Sequence, residues 1–173
     1  MIMRYLVIGL MFITSQFYVN AQADNETITI YLVRHSEKDL ASSNQSDPQL
    51  TQCGEQRSKA LSNFFEEVNL DNIYSTNYNR TMNTARPTAD SKALDIIEYN
   101  PQDLKTFSKL LIEKNKDALV VGHSNTTGVL AGLLTGEVIG AFDLDIYNRI
   151  YQVVINKKKG RLHLFRSSFV CAD

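Results

Sequence analysis

Short apolar runs alternate with longer amphipathic stretches along most of the chain. Runs rich in β-branched and aromatic residues predict strands at 29–34, 72–75, 94–98 and 118–122. Apolar residues that recur at three- and four-residue spacing predict helices over 51–68 and 104–111, and further helices are expected over 78–93 and over the apolar segment 126–134. Two further segments, 149–155 and 161–166, flank a polar stretch and predict an antiparallel hairpin.

The order of these elements predicts the fold class. Strands that alternate with helices are typical of an α/β fold, here a three-layer α/β/α sandwich with a mostly parallel mixed sheet and an antiparallel C-terminal hairpin. The continuous apolar run 118–122 predicts a strand that is covered on both faces. Pro87 falls within the second predicted helix and is expected to start, break or kink it. Because ligands of such sheets bind beyond the carboxyl ends of the strands, we expect a site there.

Residues 1–23 are predicted to be a secretory signal peptide. Arg4 is their one charged residue, residues 5–13 are apolar without interruption, and Ala21 and Ala23 place small side chains before a cleavage site. An uncleaved membrane anchor is the alternative, but the apolar run is well short of the roughly 20 residues that span a bilayer. We therefore expect 24–173 to form one exported domain, periplasmic or secreted, with no stable membrane insertion after cleavage.

Composition and charge narrow the classes of protein further. A hydrophobic fraction of 43% and a formal net charge of −1 argue against a disordered chain. The near-neutral charge also removes the bulk electrostatic case for a nucleic-acid partner. The presence of only three histidines argues against a His-rich metal site. Cys53 and Cys171 permit one disulfide, and two unpaired thiols remain open as the alternative.

Basic side chains follow three of the predicted strands, where the ligand crevice of the sheet is expected. Arg34 and His35 end the first strand, Arg80 follows the second, and His123 follows the buried strand 118–122. A single histidine after a strand is more often a hydrogen-bonded loop residue than a catalytic one. Cationic groups gathered in one crevice, however, repel one another unless an anion joins them. Because guanidinium groups match phosphate oxygens, the clusters predict a pocket for a tetrahedral oxyanion such as phosphate.

Histidine is suited to be the reactive group of such a pocket. A neutral imidazole near pH 7 is a nitrogen nucleophile toward phosphorus, provided that an acceptor holds its far nitrogen. The arginines would stabilise the charge of the transition state. This arrangement requires no metal and no cofactor.

Four sequence motifs resemble those of the histidine phosphatase superfamily, the phosphoglycerate mutase-like group. They are LVRHSE at 32–37, LT-x2-G-x2-R at 50–57, S-x4-R-x3-TA at 75–85 and GHS at 122–124. The resemblance implies that His35 is the nucleophile that becomes phosphohistidine. It also implies that the phosphate is bound by Arg34, Arg80, His123 and Ser124. The family's usual glycine after the first histidine is Ser36 here.

The general acid is the point at which this sequence departs from the family. The resemblance implies an acidic residue shortly after the third strand, where Glu98 and Asp103 are candidates and Asn100 could stand instead. Glu98 is assigned as the catalytic acid, although an exposed carboxylate at a strand end is an equal alternative. Without an acid, the enzyme would favour substrates with a good leaving group, such as a phosphoramidate. His163 alternates with apolar residues, is expected to face solvent, and is left out of the site.

These expectations lead to a metal-independent phosphatase that acts on a phosphorylated small molecule or a phosphorylated protein side chain. The substrate would be a phosphomonoester or a phosphoramidate. The segment 94–122 leaves little chain for a lid, which favours hydrolysis over mutase-type phosphotransfer. A binding module for phosphate or a phospholigand, without turnover, is the main alternative. A metal hydrolase that uses His35, Glu37 and His123 is a weaker one, because the carboxylate is not at the usual ligand spacing.

Overall fold

Strands and helices alternate along the chain in the computed structural model, which describes residues 27–171. The strands are β1 (Thr27–Arg34), β2 (Asn72–Ser75), β3 (Ile96–Glu98), β4 (Ala118–Gly122), β5 (Arg149–Asn156) and β6 (Lys159–Arg166). The helices are α1 (Gln52–Phe64), α2 (Asn79–Lys92), α3 (Leu104–Lys114) and α4 (Thr127–Thr135). The predicted signal peptide, residues 1–23, lies outside the described residues.

The strands form one mixed sheet in the order β3-β2-β4-β1-β5-β6. Neighbours among β1 to β4 are parallel, β5 runs antiparallel to β1, and β6 runs antiparallel to β5. All five residues of β4 are buried, as the continuous apolar run predicts. The predicted α/β fold with an antiparallel C-terminal hairpin is confirmed.

Each face of the sheet is covered by a pair of helices. Phe107 and Leu111 of α3 pack with Leu130 and Leu134 of α4 against one face. The other face carries Leu61 of α1, Phe65 just after it, and Ala85 and Ala89 of α2. Burial of apolar side chains between these layers is the main force that holds the sandwich together. The three-layer arrangement is therefore as predicted.

Helix α1 ends earlier than the apolar pattern predicts. Phe64 is its last residue and is 46% exposed, whereas Phe65 is fully buried. The N–H group of Phe65 is shared between the carbonyl oxygens of Leu61 and Ser62, which closes the last turn. The chain then turns toward β2, so Val68 packs on the core from outside the helix.

Pro87 lies inside α2, and the expectation that it starts or breaks the helix is wrong. The helix continues from Asn79 to Lys92, although Pro87 cannot donate the hydrogen bond that an interior residue makes. Packing compensates for this loss, because Thr84, Ala85, Thr88 and Ala89 are buried around the proline. The carbonyl oxygen of Pro87 also accepts a hydrogen bond from Ser62 Oγ, 3.0 Å away on α1.

A disulfide joins Cys53, at the start of α1, to Cys171, with 5.5 Å between the two Cα atoms. It ties the C-terminal segment to the beginning of the first helix across 118 residues of sequence. The choice that the sequence leaves open is thus decided in favour of pairing. None of the helices within residues 27–171 combines the length and apolar character that a bilayer crossing requires.

Candidate active site

A crevice of about 340 Å³ opens at the carboxyl ends of the parallel strands. Such a volume lies at the lower end of the range for small-molecule sites. The five residues expected to hold phosphate or react with it all line this crevice: Arg34, His35, Arg80, His123 and Ser124. The crevice therefore lies where the sheet topology places ligands.

His35 is held with one ring nitrogen bonded and the other available. Its Nδ1 lies 2.8 Å from the carbonyl oxygen of Ser36, so Nδ1 must carry the proton and donate it. Burial, together with the positive charges of Arg34, His123 and Arg80, lowers the pKa of His35 to about 3. The ring is thus neutral at physiological pH, with an unprotonated lone pair on Nε2.

The loop that follows His35 is fixed from the side of α2. The N–H group of Ser36 donates to Thr84 Oγ1 at 2.8 Å, and that hydroxyl donates to the carbonyl oxygen of Arg80 at 2.7 Å. Thr84, of the S-x4-R-x3-TA motif, therefore connects the loop after His35 to the helix that carries Arg80.

The first-helix motif holds the same loop from the side of α1. Thr51 caps the helix, and its own N–H group donates to the carbonyl oxygen of Glu37 at 2.9 Å. Gly54 faces that carbonyl so closely that a Cβ atom would collide with it. Arg57 donates from Nε and Nη2 to the Glu37 carboxylate, at 2.6 to 2.9 Å. Because Glu37 faces Arg57, it does not join His35 and His123 in the metal site considered above.

Arg34 is buried, and its guanidinium group is only partly satisfied by protein atoms. Nη1 donates to the carbonyl oxygens of Leu144 at 2.6 Å and Ile146 at 3.0 Å, and the group lies 4.0 Å above the ring of Tyr147. Its Nε is buried and has no hydrogen-bond partner among residues 27–171. Buried N–H groups normally have partners, so this geometry favours a bound anion.

His123 lies beside His35, with 5.6 Å between the ring centroids. Its Nε2 contacts Thr76 Oγ1 at 3.0 Å, and Thr126 Oγ1 accepts from its backbone N–H at 2.8 Å. Burial lowers the pKa of His123 to about 4, and the nearby cations Arg80, Arg34 and Lys38 contribute. An anion in the crevice would reverse part of this effect by stabilising the charged imidazole.

Each arginine of the crevice lies over a tyrosine that the sequence analysis does not select. Arg80 lies 4.3 Å above the ring of Tyr78, as Arg34 does above Tyr147. The same tyrosines contact the two histidines edge to face, with centroid distances of 5.4 Å for Tyr78–His123 and 6.1 Å for Tyr147–His35. The position of Tyr78 next to a strand end was a signal, whereas nothing local marks Tyr147.

The structure does not bring Glu98 into the crevice, which corrects its assignment as the catalytic acid. Glu98 ends the edge strand β3, is exposed, and lines a separate hollow with Tyr99 and Phe107. Tyr99, the next residue, is buried and stacks on Phe107, and neither it nor Glu98 lines the crevice. Asp103 caps α3 instead, accepting from the N–H group of Thr106 at 3.1 Å.

Two residues of the segment after β3, where the catalytic acid was expected, do line the crevice. Pro101 and Gln102 line it, so an amide is present where a carboxyl group was expected. Lys38 also lines the crevice and was not singled out from the sequence. His163 lies on β6 opposite Gln152, half-buried rather than fully solvent-facing, and does not line the crevice.

The fold and the crevice define an α/β protein with a crevice of cationic side chains at the carboxyl ends of its parallel strands. The family model described as "Histidine phosphatase superfamily (branch 1)" matches residues 30–101, which contain the motifs from LVRHSE to S-x4-R-x3-TA. Residues 30–101 therefore match the histidine phosphatase superfamily, and the fourth motif, GHS at 122–124, lies beyond the matched residues but places His123 and Ser124 in the same crevice. No curated protein matches its sequence.

Several solved structures share the fold at low sequence identity. The protein histidine phosphatase SixA, complexed with tungstate, is 16% identical with a TM-score of 0.68, covering 81% of this chain and 97% of its own. The α-ribazole phosphatase of Shigella flexneri is 16% identical with a TM-score of 0.68, covering 84% and 100%. A mycobacterial glucosyl-3-phosphoglycerate phosphatase is 11% identical with a TM-score of 0.63, covering 81% and 98%. These similarities establish the fold.

Proposed function

We propose that this protein is a metal-independent phosphatase that works through a phosphohistidine on His35. The observation that carries the proposal is the hydrogen bond from His35 Nδ1 to Ser36, because it leaves the Nε2 lone pair available in a crevice of cationic side chains. A neutral imidazole with its other nitrogen held is the form that attacks phosphorus. The lowered pKa of His35 supplies that form throughout the physiological range.

The reaction has two steps. His35 Nε2 attacks the phosphorus atom, the new P–N bond forms, and the bond to the leaving group breaks with its electron pair on the departing atom. Water then attacks the phosphohistidine, which releases inorganic phosphate and restores the neutral imidazole. Arg34, Arg80 and His123 bind the equatorial oxygens as their charge redistributes, and Ser124 contributes to phosphate binding.

The leaving group must be able to depart without a strong acid from the protein. None of the crevice-lining residues in the described part of the chain is a carboxylic acid. The departing atom therefore takes its proton from water, which favours a phosphomonoester with an acidic leaving group or a phosphoramidate. One structural neighbour is described as a protein histidine phosphatase, which supports phosphohistidine as a candidate. The substrate class remains a phosphorylated small molecule or protein side chain.

The test is replacement of the nucleophile. His35→Ala should abolish hydrolysis of p-nitrophenyl phosphate, and rapid acid-free quenching of the wild type should trap a phosphoryl group on His35. His163→Ala is the matched control, because His163 lies outside the crevice. Wild-type turnover by His35→Ala would contradict the assignment. EDTA should leave the activity intact, and a loss that zinc restores would indicate a metal enzyme.

A phosphate-binding module without turnover is the second candidate. The absence of a carboxyl group from the described crevice wall is the observation in its favour. Calorimetry that shows phosphate binding, together with no hydrolysis across a panel of aryl phosphates and phosphoramidates, would support this alternative. A mutase-type phosphotransferase is less favoured, because a short loop, 99–103, joins β3 to α3 and leaves no long segment there for a lid.

We also propose that the protein is exported, to the periplasm or the medium. The Cys53–Cys171 disulfide supports this, because structural disulfides persist in oxidising compartments. The predicted signal peptide, residues 1–23, would direct the chain to the export machinery. Fractionation of cells and N-terminal sequencing should find a protein that begins at Asp24 outside the cytoplasm. A cytoplasmic protein that retains residues 1–23 would contradict the proposal.

A further inference from the structure

Lys38 is a cation in the crevice that the proposed chemistry does not use. It is half-buried and lines the crevice with Arg34 and His35, which are themselves buried. Within residues 27–171 its ammonium group has no hydrogen-bond or ion-pair partner. It is close enough to His123 to contribute to the lowered pKa of that imidazole. A lysine held in a cleft without a counter-ion is available to a ligand.

The position of Lys38 is built into the fold. Its backbone pairs with Leu50 in an isolated antiparallel bridge, and the N–H group of Asp39 donates to the carbonyl oxygen of Gln49 at 2.8 Å. Adjacent side chains of an extended segment point to opposite sides. The side chain of Glu37 points to Arg57, so that of Lys38 points to the crevice. The ammonium group is thus carried on a short fixed segment rather than on a free loop.

The positive charges of the crevice are not all compensated by neighbouring acidic side chains. Arg34, Lys38 and Arg80 carry three permanent positive charges, and no acidic side chain lines the crevice in the described residues. A bound phosphoryl dianion balances two of these charges. Asp47, which does not line the crevice, forms an ion pair with Arg80, with 3.6 Å between Oδ1 and Nη1. No acidic side chain within residues 27–171 forms such a pair with Lys38. When a phosphoryl dianion lies between Arg34 and Arg80, the ammonium group of Lys38 is therefore the crevice cation that has no acidic side chain beside it within residues 27–171.

We propose that Lys38 is a specificity-determining residue that binds a second anionic group, carried on the leaving-group portion of the substrate. This inference rests on the proposed phosphatase function and specifies the substrate class for the same site. The preferred substrate carries a carboxylate or another acidic group a short distance from its phosphoryl group. A charge-assisted hydrogen bond to an ammonium group is among the stronger polar contacts in proteins.

The test compares two substrates that differ in one charge. The 2-, 3- and 4-carboxyphenyl phosphates are paired with the corresponding carbamoylphenyl phosphates, which have nearly the same shape and no carboxylate. The wild type should prefer at least one carboxylate over its amide by about tenfold in kcat/KM, which is about 1.4 kcal/mol. Lys38→Gln should bring that ratio close to one, and Lys38→Arg should retain most of it. Lys59→Gln, an exposed lysine of α1 outside the crevice, should leave the ratio and the activity unchanged.

Three results would overturn the proposed role of Lys38. No preference in the wild type, or an equal fall for both members of each pair in Lys38→Gln, would overturn the proposal, because Lys38 would then bind only the transferred phosphoryl group. A loss that followed the acidity of the leaving phenol rather than its charge would overturn it as well, in favour of proton donation.

Binding to the His35→Ala variant separates this inference from the proposed function. Calorimetry with the same ligand pairs should show the tenfold preference in His35→Ala and its loss in His35→Ala with Lys38→Gln. If the wild type hydrolyses none of the compounds but the preference in binding is present, the catalytic proposal fails and the role of Lys38 stands. Equal binding of each pair overturns the role of Lys38 whatever the activity.

Discussion

Arg57 donates hydrogen bonds to both carboxylate oxygens of Glu37, and its Nη2 lies 2.6 Å from Oε1. The ion pair is largely buried, with side-chain exposures of 12% for Arg57 and 18% for Glu37. Glu37 comes two residues after His35, and its backbone carbonyl receives the N–H group of Thr51. Helix α1 therefore holds the loop of the proposed nucleophile by its first turn and its arginine together.

Loss of this ion pair should destabilise the fold. Arg57→Ala leaves the Glu37 carboxylate half-buried without its partner, and it also removes the hydrogen bond to the carbonyl oxygen of Phe169. We expect the free energy of unfolding in urea to fall by about 2–3 kcal/mol. Arg57→Lys should recover only part of this, because an ammonium group cannot form the two-pronged contact. Arg86→Ala, an exposed arginine of α2, should change stability little.

Reduction of the disulfide should lower stability without removing the crevice. The bond closes a loop of 118 residues in sequence separation, and such cross-links restrict the unfolded chain. We expect dithiothreitol to lower the free energy of unfolding by about 2–4 kcal/mol. The double variant Cys53→Ser, Cys171→Ser should show the same loss and no response to dithiothreitol. A response that persisted in the double variant would refute this account.

The two crevice histidines should stay neutral in mildly acidic solution. Burial and neighbouring cations lower the pKa of His35 to about 3 and that of His123 to about 4. Nitrogen-15 spectra of the imidazoles should therefore show both rings neutral at pH 5. An ordinary titration of His35 near pH 6.5 would contradict the geometry.

The same shifts predict how stability depends on pH. Between the ordinary histidine pKa of about 6.5 and the lowered values, the unfolded chain binds more protons than the folded one. Stability should therefore be lost as the pH falls through this window, by up to about 1.4 kcal/mol per pH unit for each histidine. Urea titrations at several pH values, repeated with His35→Gln, should show a shallower slope in the variant.

A carboxyl group introduced into the crevice should widen the range of leaving groups. Gln102 lines the crevice where a general acid was expected, so Gln102→Glu places a proton donor there. We expect kcat for alkyl phosphates to rise by about tenfold or more, with little change for p-nitrophenyl phosphate, whose leaving group needs no acid. Gln56→Glu, the same change at an exposed position of α1, is the control. Equal effects on both substrate classes would argue against acid catalysis.

The sequence by itself determined the elements and the meeting point of the basic residues. The apolar run of β4 and the spacing of Phe107 and Leu111 are local patterns, and they specify a strand and a helix without knowledge of distant residues. Because parallel strands end at one edge of a sheet, the motifs at Arg34–His35 and His123 had to converge there. Local periodicity and topology were sufficient for these conclusions.

Tertiary structure decided which way individual side chains point and which distant residues meet. Glu98 lies in a separate hollow at the edge of the sheet, whereas Lys38 lines the crevice because Glu37 beside it is held by Arg57. Tyr147 reaches Arg34 from a loop more than one hundred residues away, and Cys53 meets Cys171 across a similar distance. A one-residue change of register reverses a side chain's direction, and long-range contacts leave no local pattern, so these features required the folded molecule.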